Sequence, residues 1–550
     1  MKLKRSHLFF IAIATGALVG GLLGGKALAS GDRLDERIKK LAQIIQTVQD
    51  KYVDDVPNET LIYDGIRGML RTLDPHTNFL EADSYKDMQD EQRGNFYGLG
   101  IVISKRSKDE PLTVISPIDG TPAARLGIRA GDAIVHIADA ARSIDVDTTD
   151  LSIQDAVKYL KGPKGSEVVI SVQRAGISEP IVFKIQRDKI DTPSVTNAYM
   201  IRPGTGYIRL SNFTQTSADD LDAAIANLKT RGMERLVFDL RGNPGGLLDQ
   251  AVKVADRFLP DQAKVVYTRG RVPGSDQDFY ASKTGDGNDM PLVVLINRGS
   301  ASASEIVSGA LQDHDRALIV GETSFGKGLV QSVYRLSNQN GLALTTAKYY
   351  TPCGRLIQRD YSSLEDYFFD FDEDSSGDTS AAARNANREV HHTDTGRIVY
   401  GGGGITPDVE VKAEEIPKLI LELTRNNMFF KFAVRFAPTV EELPKERTTD
   451  TEKLDLLLHT YNPDDKTIDA FRQFLQEKKF SYDESEFRKE EDRIRTMLKS
   501  DILETVGGLT LKDRVLIETD TQVLKAIESM PKARDLARLS RSPAPDQAVR

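Results

Sequence analysis

Residues 297–313 read NRGSASASEIVSGALQD, with serines on alternate positions at Ser300, Ser302 and Ser304. They follow the apolar run PLVVLI, so small hydroxyl residues crowd the point where a buried strand hands over to a helix. A helix amino terminus exposes free N–H groups that favour developing negative charge, so a hydroxyl at Ser302 stands where an attacking oxygen would be supported. The same handover recurs through residues 195–355. TGYIRLS, RLVFDLRG, PLVVLINRG, RALIVGE and LALTTAKYYTP are near-continuous apolar runs of strand length. SADDLDAAIANLKTRG, GGLLDQAVKVADRFL and SASEIVSGALQD carry helical periodicity between them. This alternation predicts a layered α/β domain whose chemistry gathers at the carboxyl ends of its strands, where RGNPGG and NRGSAS sit.

A serine nucleophile needs a base. His314, flanked by Asp313 and Asp315, falls at the far end of the helix that Ser302 begins, roughly 15–18 Å away at the α-helical rise. Lys327 in TSFGKGLVQ follows the next strand, and adjacent parallel strands would set the two exit loops side by side. Lysine serves as a base when burial lowers its pKa toward neutrality, and Phe325, Gly326, Gly328, Leu329 and Val330 supply an apolar setting. Gln331 would hold the amine without adding charge. On these residues alone, a solvated lysine beside a turn remains the alternative.

From Phe96 to Lys189 the rhythm changes to short β-rich runs, FYGLGIVIS, LTVISPI, DAIVHIA, EVVISVQR and PIVFKIQR, with short helical pieces at TPAARLG and SIQDAVKYLKG. The order resembles a PDZ domain. Gly98-Leu99-Gly100-Ile101 is similar to the loop whose backbone N–H groups receive a peptide's terminal carboxylate, and Gly127–Asp132 to the turn entering a central strand. Glycines let successive amides converge on an anion, and a strand with a free edge can pair an extended peptide.

Gly299–Glu305, then Lys327 in Ser324-Phe325-Gly326-Lys327-Gly328, then Gln331, resemble the carboxy-terminal processing, or tail-specific, protease family. LDPHTNFL, FDLRGNPGG, YYTPCGRLIQ and GGGGITPDVEV extend the resemblance over residues 35–412. It implies a serine endopeptidase with a Ser-Lys-Gln catalytic set, an inserted PDZ domain and a core resembling the crotonase/ClpP-type fold. Position by position, Ser302 becomes the nucleophile, Lys327 the general base and Gln331 the residue orienting the lysine. The amides of Ala303 and of one glycine of Gly245-Gly246 become the oxyanion hole. Substrates would be proteins with apolar carboxyl termini, captured at Gly98, Leu99, Gly100 and Ile101, and no metal or organic cofactor is required. Ser300 would line the turn and Ser304 would cap the helix, with Glu305 in its first turn. Two positions depart from the family pattern: Cys353 stands where serine is common, and Lys161 where arginine is frequent.

The expected organisation is α+β and multidomain. Residues 1–29 carry a basic start, the apolar run Leu8–Gly25 and the small-x-small site Ala27-Leu28-Ala29, an export signal that is either cleaved or retained as a membrane anchor through residues 8–25. Either outcome places the rest in the periplasm or cell envelope. Residues 30–92 read as helical, 93–190 as the PDZ domain, 191–412 as the protease domain with a flexible acidic insertion at 361–397, and 413–550 as a helical extension that packs on the protease or builds an oligomer. Leu34, Ile38, Leu41, Ile45 and Val48 form one apolar stripe that packs within its own domain or joins copies; a homo-oligomer is expected for the chain, and an adaptor lipoprotein is conceivable. His76 reads as a structural hydrogen-bonder.

The formal charge of -9, with no basic face, argues against nucleic-acid binding. A single cysteine excludes an internal disulfide, and His391-His392 alone make weak metal ligands. Two other function classes stand against the leading one. A non-catalytic PDZ scaffold is disfavoured by intact Ser302, Lys327 and Gln331; an acyl-CoA enzyme of the enoyl-CoA hydratase type is disfavoured by the export signal and the inserted PDZ domain.

Overall fold

The computed structural model describes residues 34–105, 110–282, 290–368, 388–444 and 447–539. They divide into two compact units, Met1–Ala82 with Gln331–Thr345, and Asp83–Val330 with Thr346–Arg550. Residues 1–29, expected to form an export signal, and residues 369–387 of the insertion lie outside the described residues. No helix among the described residues is long and apolar enough to cross a membrane.

In the first unit a helix covers residues 34–51 and a second spans Asn58–Leu70. The apolar stripe is not covered as the packing alternative anticipates: Leu34, Ile38 and Leu41 are exposed, while Ile45 and Val48 are half-buried. In the LDPHT turn Asp74 accepts hydrogen bonds from the amides of His76 and Thr77 and from the Thr77 hydroxyl, so its side chain shapes the break at Pro75. The turn leads into the strand Asn78–Leu80, antiparallel to Gly341–Ala343.

The second unit is organised around a six-stranded sheet in the order Val195–Arg202, Thr205–Leu210, Arg235–Asp239, Leu292–Ile296, Leu318–Gly321, Val409–Glu410. The first pair is antiparallel and all the others are parallel. Strand side chains alternate between faces, so each strand divides its apolar residues between two cores. Ile208, Leu236, Phe238, Val294 and Ile319 face the helices Ser217–Thr230, Leu248–Asp256 and Ala303–Asp313. Tyr207, Val237, Val293, Leu295 and Val320 face Ile517, Val523, Met530 and Leu536 of the carboxy-terminal helices. Each fully buried aliphatic side chain is worth about 1.5–3 kcal/mol, which explains why strands covered on both faces read as unbroken apolar runs.

One run behaves differently. LALTTAKYYTP forms the strand Gly341–Tyr350, whose Ala347–Tyr350 segment pairs antiparallel with Lys264–Gly270 in another sheet. Its residues are mostly half-buried, the pattern of a strand covered on one side.

The PDZ-like part is a sheet in the order Ile101–Ser104, Leu112–Pro117, Ala133–Asp139, Glu167–Gln173, Ile181–Gln186. Leu112, Val114, Ile134, Val168 and Ile170 fill its core with Ala156 and Leu160 of the helix Ile153–Leu160. The GIRAGD turn is held by Asp132, which takes two hydrogen bonds from the Arg174 guanidinium. The helices Lys418–Arg425, Met428–Phe436, Asp465–Glu477 and Glu491–Gly507 share an apolar core of their own. Arg447, which precedes the helix Thr451–Thr460, reaches the PDZ sheet at Ser116 Oγ (2.8 Å) and the Pro117 carbonyl (2.5 Å).

Candidate active site

Parallel pairing brings three loops to one end of the sheet, 240–247 after Arg235–Asp239, 297–302 after Leu292–Ile296, and 322–328 after Leu318–Gly321. Ser302 is the residue before the helix Ala303–Asp313 and has φ 54° and ψ -112°. A left-handed φ in a non-glycine residue costs on the order of 1–3 kcal/mol and persists only where the surroundings over-determine it. Ser302 and Lys327 are both half-buried.

Glu305 supplies much of that determination. Its carboxylate is fully buried and takes four hydrogen bonds. Oε2 accepts from the amides of Ser302 (2.8 Å) and Lys327 (2.9 Å), and Oε1 from Ser324 Oγ (2.6 Å) and the Gly326 amide (2.7 Å). One side chain therefore grips the backbone of both candidate catalytic residues. Burial pushes its pKa up to about 7 in spite of the four donors. Tyr349 adds a second link: its buried hydroxyl reaches the carbonyl oxygens of Ser302, at 3.1 Å, and of Lys327. A third is the Phe325 amide, which donates to the Ser300 carbonyl at 2.9 Å.

The 240–247 loop closes against the 297–302 loop through Asn243. Its carbonyl accepts from the Ala301 amide at 3.0 Å and from Ser304 Oγ at 2.9 Å, and its Oδ1 accepts from the Gly245 amide at 2.9 Å. Gly245 has φ 103°, and a Cβ there would lie 2.7 Å from Ser302 Cβ, so only glycine fits. Because the Gly245 amide is already engaged, Gly246 is the glycine whose N–H, with that of Ala303, takes no acceptor in the hydrogen bonding of the described residues. Arg241 anchors the start of this loop. It binds Asp239 beneath it and, through Nη1, both carboxylate oxygens of Asp520 (3.0 and 2.9 Å) and Gln522 Oε1 (2.8 Å). Two residues of the carboxy-terminal extension are thus wired to the loop that touches Ser302.

The other residues named from the sequence fall in several places, and one expectation changes. Ser304 does not cap the helix; Ser302 occupies that position, and Ser304, two residues further in, donates from Oγ to the Asn243 carbonyl. Ser300 does line the turn, donating from Oγ to the Leu240 carbonyl at 2.8 Å. Gln331 lies in the first unit, where its amide donates to Thr345 Oγ1 at 3.2 Å. His314 closes the helix that Ser302 opens, with Nδ1 against Asp394 and Nε2 against the Lys264 carbonyl, each at 2.7 Å. The insertion is more structured at its ends than its composition suggests. Val390–His392 pairs with Ile398–Tyr400, and Tyr367 is buried edge-on to Phe325 at 5.2 Å between ring centroids. Sequence reasoning does not single out Tyr349 or Asn243, and it reads Glu305 only as a first-turn acid. The acid three residues after Ser302 is the one signal the sequence carries, and it points to Glu305 alone.

At the PDZ loop, Gly100 has φ 77° and a Cβ would meet the Thr121 side chain at 2.3 Å. Its carbonyl accepts from the Ile118 amide, and Leu99's from the Ala123 amide, which fixes the loop from outside. Among the described residues no acceptor takes the Leu99 or Gly100 N–H. The next strand, Ile101–Ser104, ends the sheet and among the described residues pairs only with Leu112–Pro117. Lys161, which ends the helix Ile153–Leu160, pairs with Asp87 at 3.2 Å and lies over the Phe96 ring.

Residues 204–362 match peptidase family S41 and residues 113–174 match the PDZ domain. The fold and the matches together define a serine-type peptidase carrying a PDZ domain. A carboxy-terminal-processing protease of Bartonella bacilliformis is 43% identical over 328 residues, 59% of this chain and 73% of that protein. A carboxyl-terminal-processing protease of Synechocystis is 36% identical over 371 residues, 64% of this chain and 84% of that one. Among solved structures, a photosystem II D1 C-terminal processing protease is 29% identical with a TM-score of 0.35, covering 68% of this chain and 92% of that chain. This chain belongs to the carboxy-terminal processing protease family.

Proposed function

We propose that this chain is an exported endopeptidase that binds the apolar carboxyl terminus of a protein substrate on its PDZ loop and cuts an upstream bond by a Ser-Lys mechanism. The observation that carries the reading is the grip of Glu305 on the amides of both Ser302 and Lys327, with Tyr349 on their carbonyls. A structural loop has no need for so many buried bonds between two small catalytic-type segments; a nucleophile and base that must hold a fixed separation do.

Lys327, neutral before reaction, takes the Ser302 proton as Oγ attacks the peptide carbonyl, then returns a proton to the leaving amine. Water hydrolyses the acyl-enzyme by the reverse sequence. The amides of Ala303 and Gly246 face the developing oxyanion, each worth about 3–4 kcal/mol by analogy with oxyanion-hole deletions. Gln331 is assigned to orient the lysine amine, a role that rests on its place four residues after Lys327. The unclaimed N–H groups of Leu99 and Gly100 and the free edge of Ile101–Ser104 support capture of a terminal carboxylate and its extended chain. Residues 1–29 export the chain to the periplasm or cell envelope. The exposed stripe of Leu34, Ile38 and Leu41 supports a homo-oligomer, and an adaptor lipoprotein remains a candidate partner.

The test is mass-spectrometric cleavage of an unfolded reporter with an apolar carboxyl terminus by residues 30–550. Cutting should vanish in Ser302→Ala and Lys327→Ala and slow when the reporter's terminus is amidated. Variants that cut as well as the parent would remove both catalytic assignments.

A further inference from the structure

The second face of the main sheet carries a cation that the catalytic apparatus does not use. Arg209 and Asp239 are register partners on neighbouring parallel strands. Asp239, however, is already committed to the Arg241 guanidinium and to the Tyr207 hydroxyl at 2.7 Å. Arg241 in turn is consumed by Asp239, Asp520 and Gln522. Arg209 is half-buried, feels Asp239 only at longer range, and among the described residues has no ion pair or side-chain hydrogen bond of its own.

It lines a cavity of about 550 Å³ between the sheet and the carboxy-terminal helices. Ile420, Leu421, Met497 and Leu516 give it an apolar lining, and the other charged side chains that border it are paired, Arg493 with Glu414 and Arg241 with Asp520. This volume lies within the usual range for ligand pockets, and a half-buried guanidinium that shares a cavity with apolar side chains suits a guest with a hydrocarbon body and a single carboxylate. A guanidinium takes a carboxylate through two parallel N–H bonds, which would supply the counter-charge that Arg209 lacks.

We propose that this cavity binds the free carboxyl end of a short apolar peptide, with Arg209 seating the carboxylate. A carboxy-terminal processing protease releases such a peptide at every turnover, so the source rests on that activity, whereas the carboxylate seat stands without it. A fatty acid shares the chemistry and is the other source to separate. The site has a route to catalysis. Gly242 and Asn297 line the same cavity, the Gly242 amide donates to Asn297 Oδ1 at 2.9 Å, and the loop runs on from Gly242 to Gly245 against Ser302. An occupant braces the loop from behind, on the side away from the nucleophile helix.

The experiment uses residues 30–550 carrying Ser302→Ala and three probes: acetyl-Ala-photoleucine-Ala with a free carboxyl group, its carboxamide, and a diazirine-bearing decanoic acid. After irradiation, cross-links are mapped by mass spectrometry. The peptide acid should label residues 413–424 and 493–522, with at least tenfold less labelling for the amide and for Arg209→Met, and partial labelling for Arg209→Lys. Hydrogen exchange at residues 241–246 should slow with the acid alone. Equal labelling by acid and amide, indifference to Arg209→Met, or labelling confined to residues 98–101 of the PDZ loop overturns the site. Labelling by the fatty acid but not by the peptide acid overturns the peptide as its occupant.

Discussion

Replacing Glu305 by glutamine tests the central geometric argument. Each Glu305 oxygen takes two donors, so an amide can keep only one oxygen and must turn its NH2 toward the other pair. The less costly orientation points NH2 at Ser324 Oγ, which can accept, and leaves the Gly326 amide unpaired one residue from Lys327. A buried unpaired donor costs about 1–3 kcal/mol, or about 5–150-fold if the whole cost appears in kcat. A pH signature separates this from general destabilisation. The folded chain raises the Glu305 pKa from 4.5 to about 7, so between those values it binds more protons folded than unfolded. The stability this group contributes is full below pH 4.5 and is lost as pH rises through about 7, a span worth about 3 kcal/mol. Glutamine has no such slope. The parent-to-variant ratio of kcat should therefore be large above pH 7 and fall toward one near pH 5, where the parent carboxyl is itself protonated. Urea unfolding should show the parent losing stability relative to Glu305→Gln over the same interval. A folded Glu305→Gln protein with kcat within twofold of the parent at pH 8, or a ratio independent of pH, refutes the reasoning.

Tyr349→Phe removes a hydroxyl that links two carbonyls and should lower kcat about 2–12-fold, the range of one net hydrogen bond, with KM unchanged in steady-state peptide cleavage. Gly245→Ala forces a Cβ to 2.7 Å from Ser302 Cβ at φ 103°, so cleavage should fall by more than tenfold while circular dichroism stays that of the parent. Asp520→Asn takes the charge from the clamp on Arg241 and should reduce kcat without weakening binding of a carboxyl-terminal peptide to the PDZ loop, measured by calorimetry. Burial opposes the charge on His314, but Asp394 and the Lys264 carbonyl outweigh it and raise its pKa. Its stabilisation is therefore full below pH 6.5 and lost as pH climbs through the raised value; His314→Gln should flatten that part of the parent's stability curve in urea titrations.

The chain's local chemistry was enough to place strands, helices and both glycine loops, because strand runs covered on two faces and helices with one apolar stripe leave periodic marks in a single segment. SASASE and SFGK could be placed on neighbouring exit loops from the order of elements alone, since consecutive parallel strands set their carboxyl ends at one edge. What no segment carries is which distant groups meet. Tyr349 reads as another aromatic in a strand, and Asn243 as a turn residue; each acquires its role only when the backbone brings an unpaired carbonyl or amide against it. The choice of Gly246 over Gly245 likewise depends on one Asn243 oxygen. The carboxy-terminal helices show the same division: their amphipathic pattern announced that they pack, but only the assembled sheet, with Arg241 and Arg209 on its second face, decided that they pack there and hold the 240–247 loop in place. Burying polar groups forces each to find a partner, and those partners are selected by proximity in space, which sequence spacing does not encode.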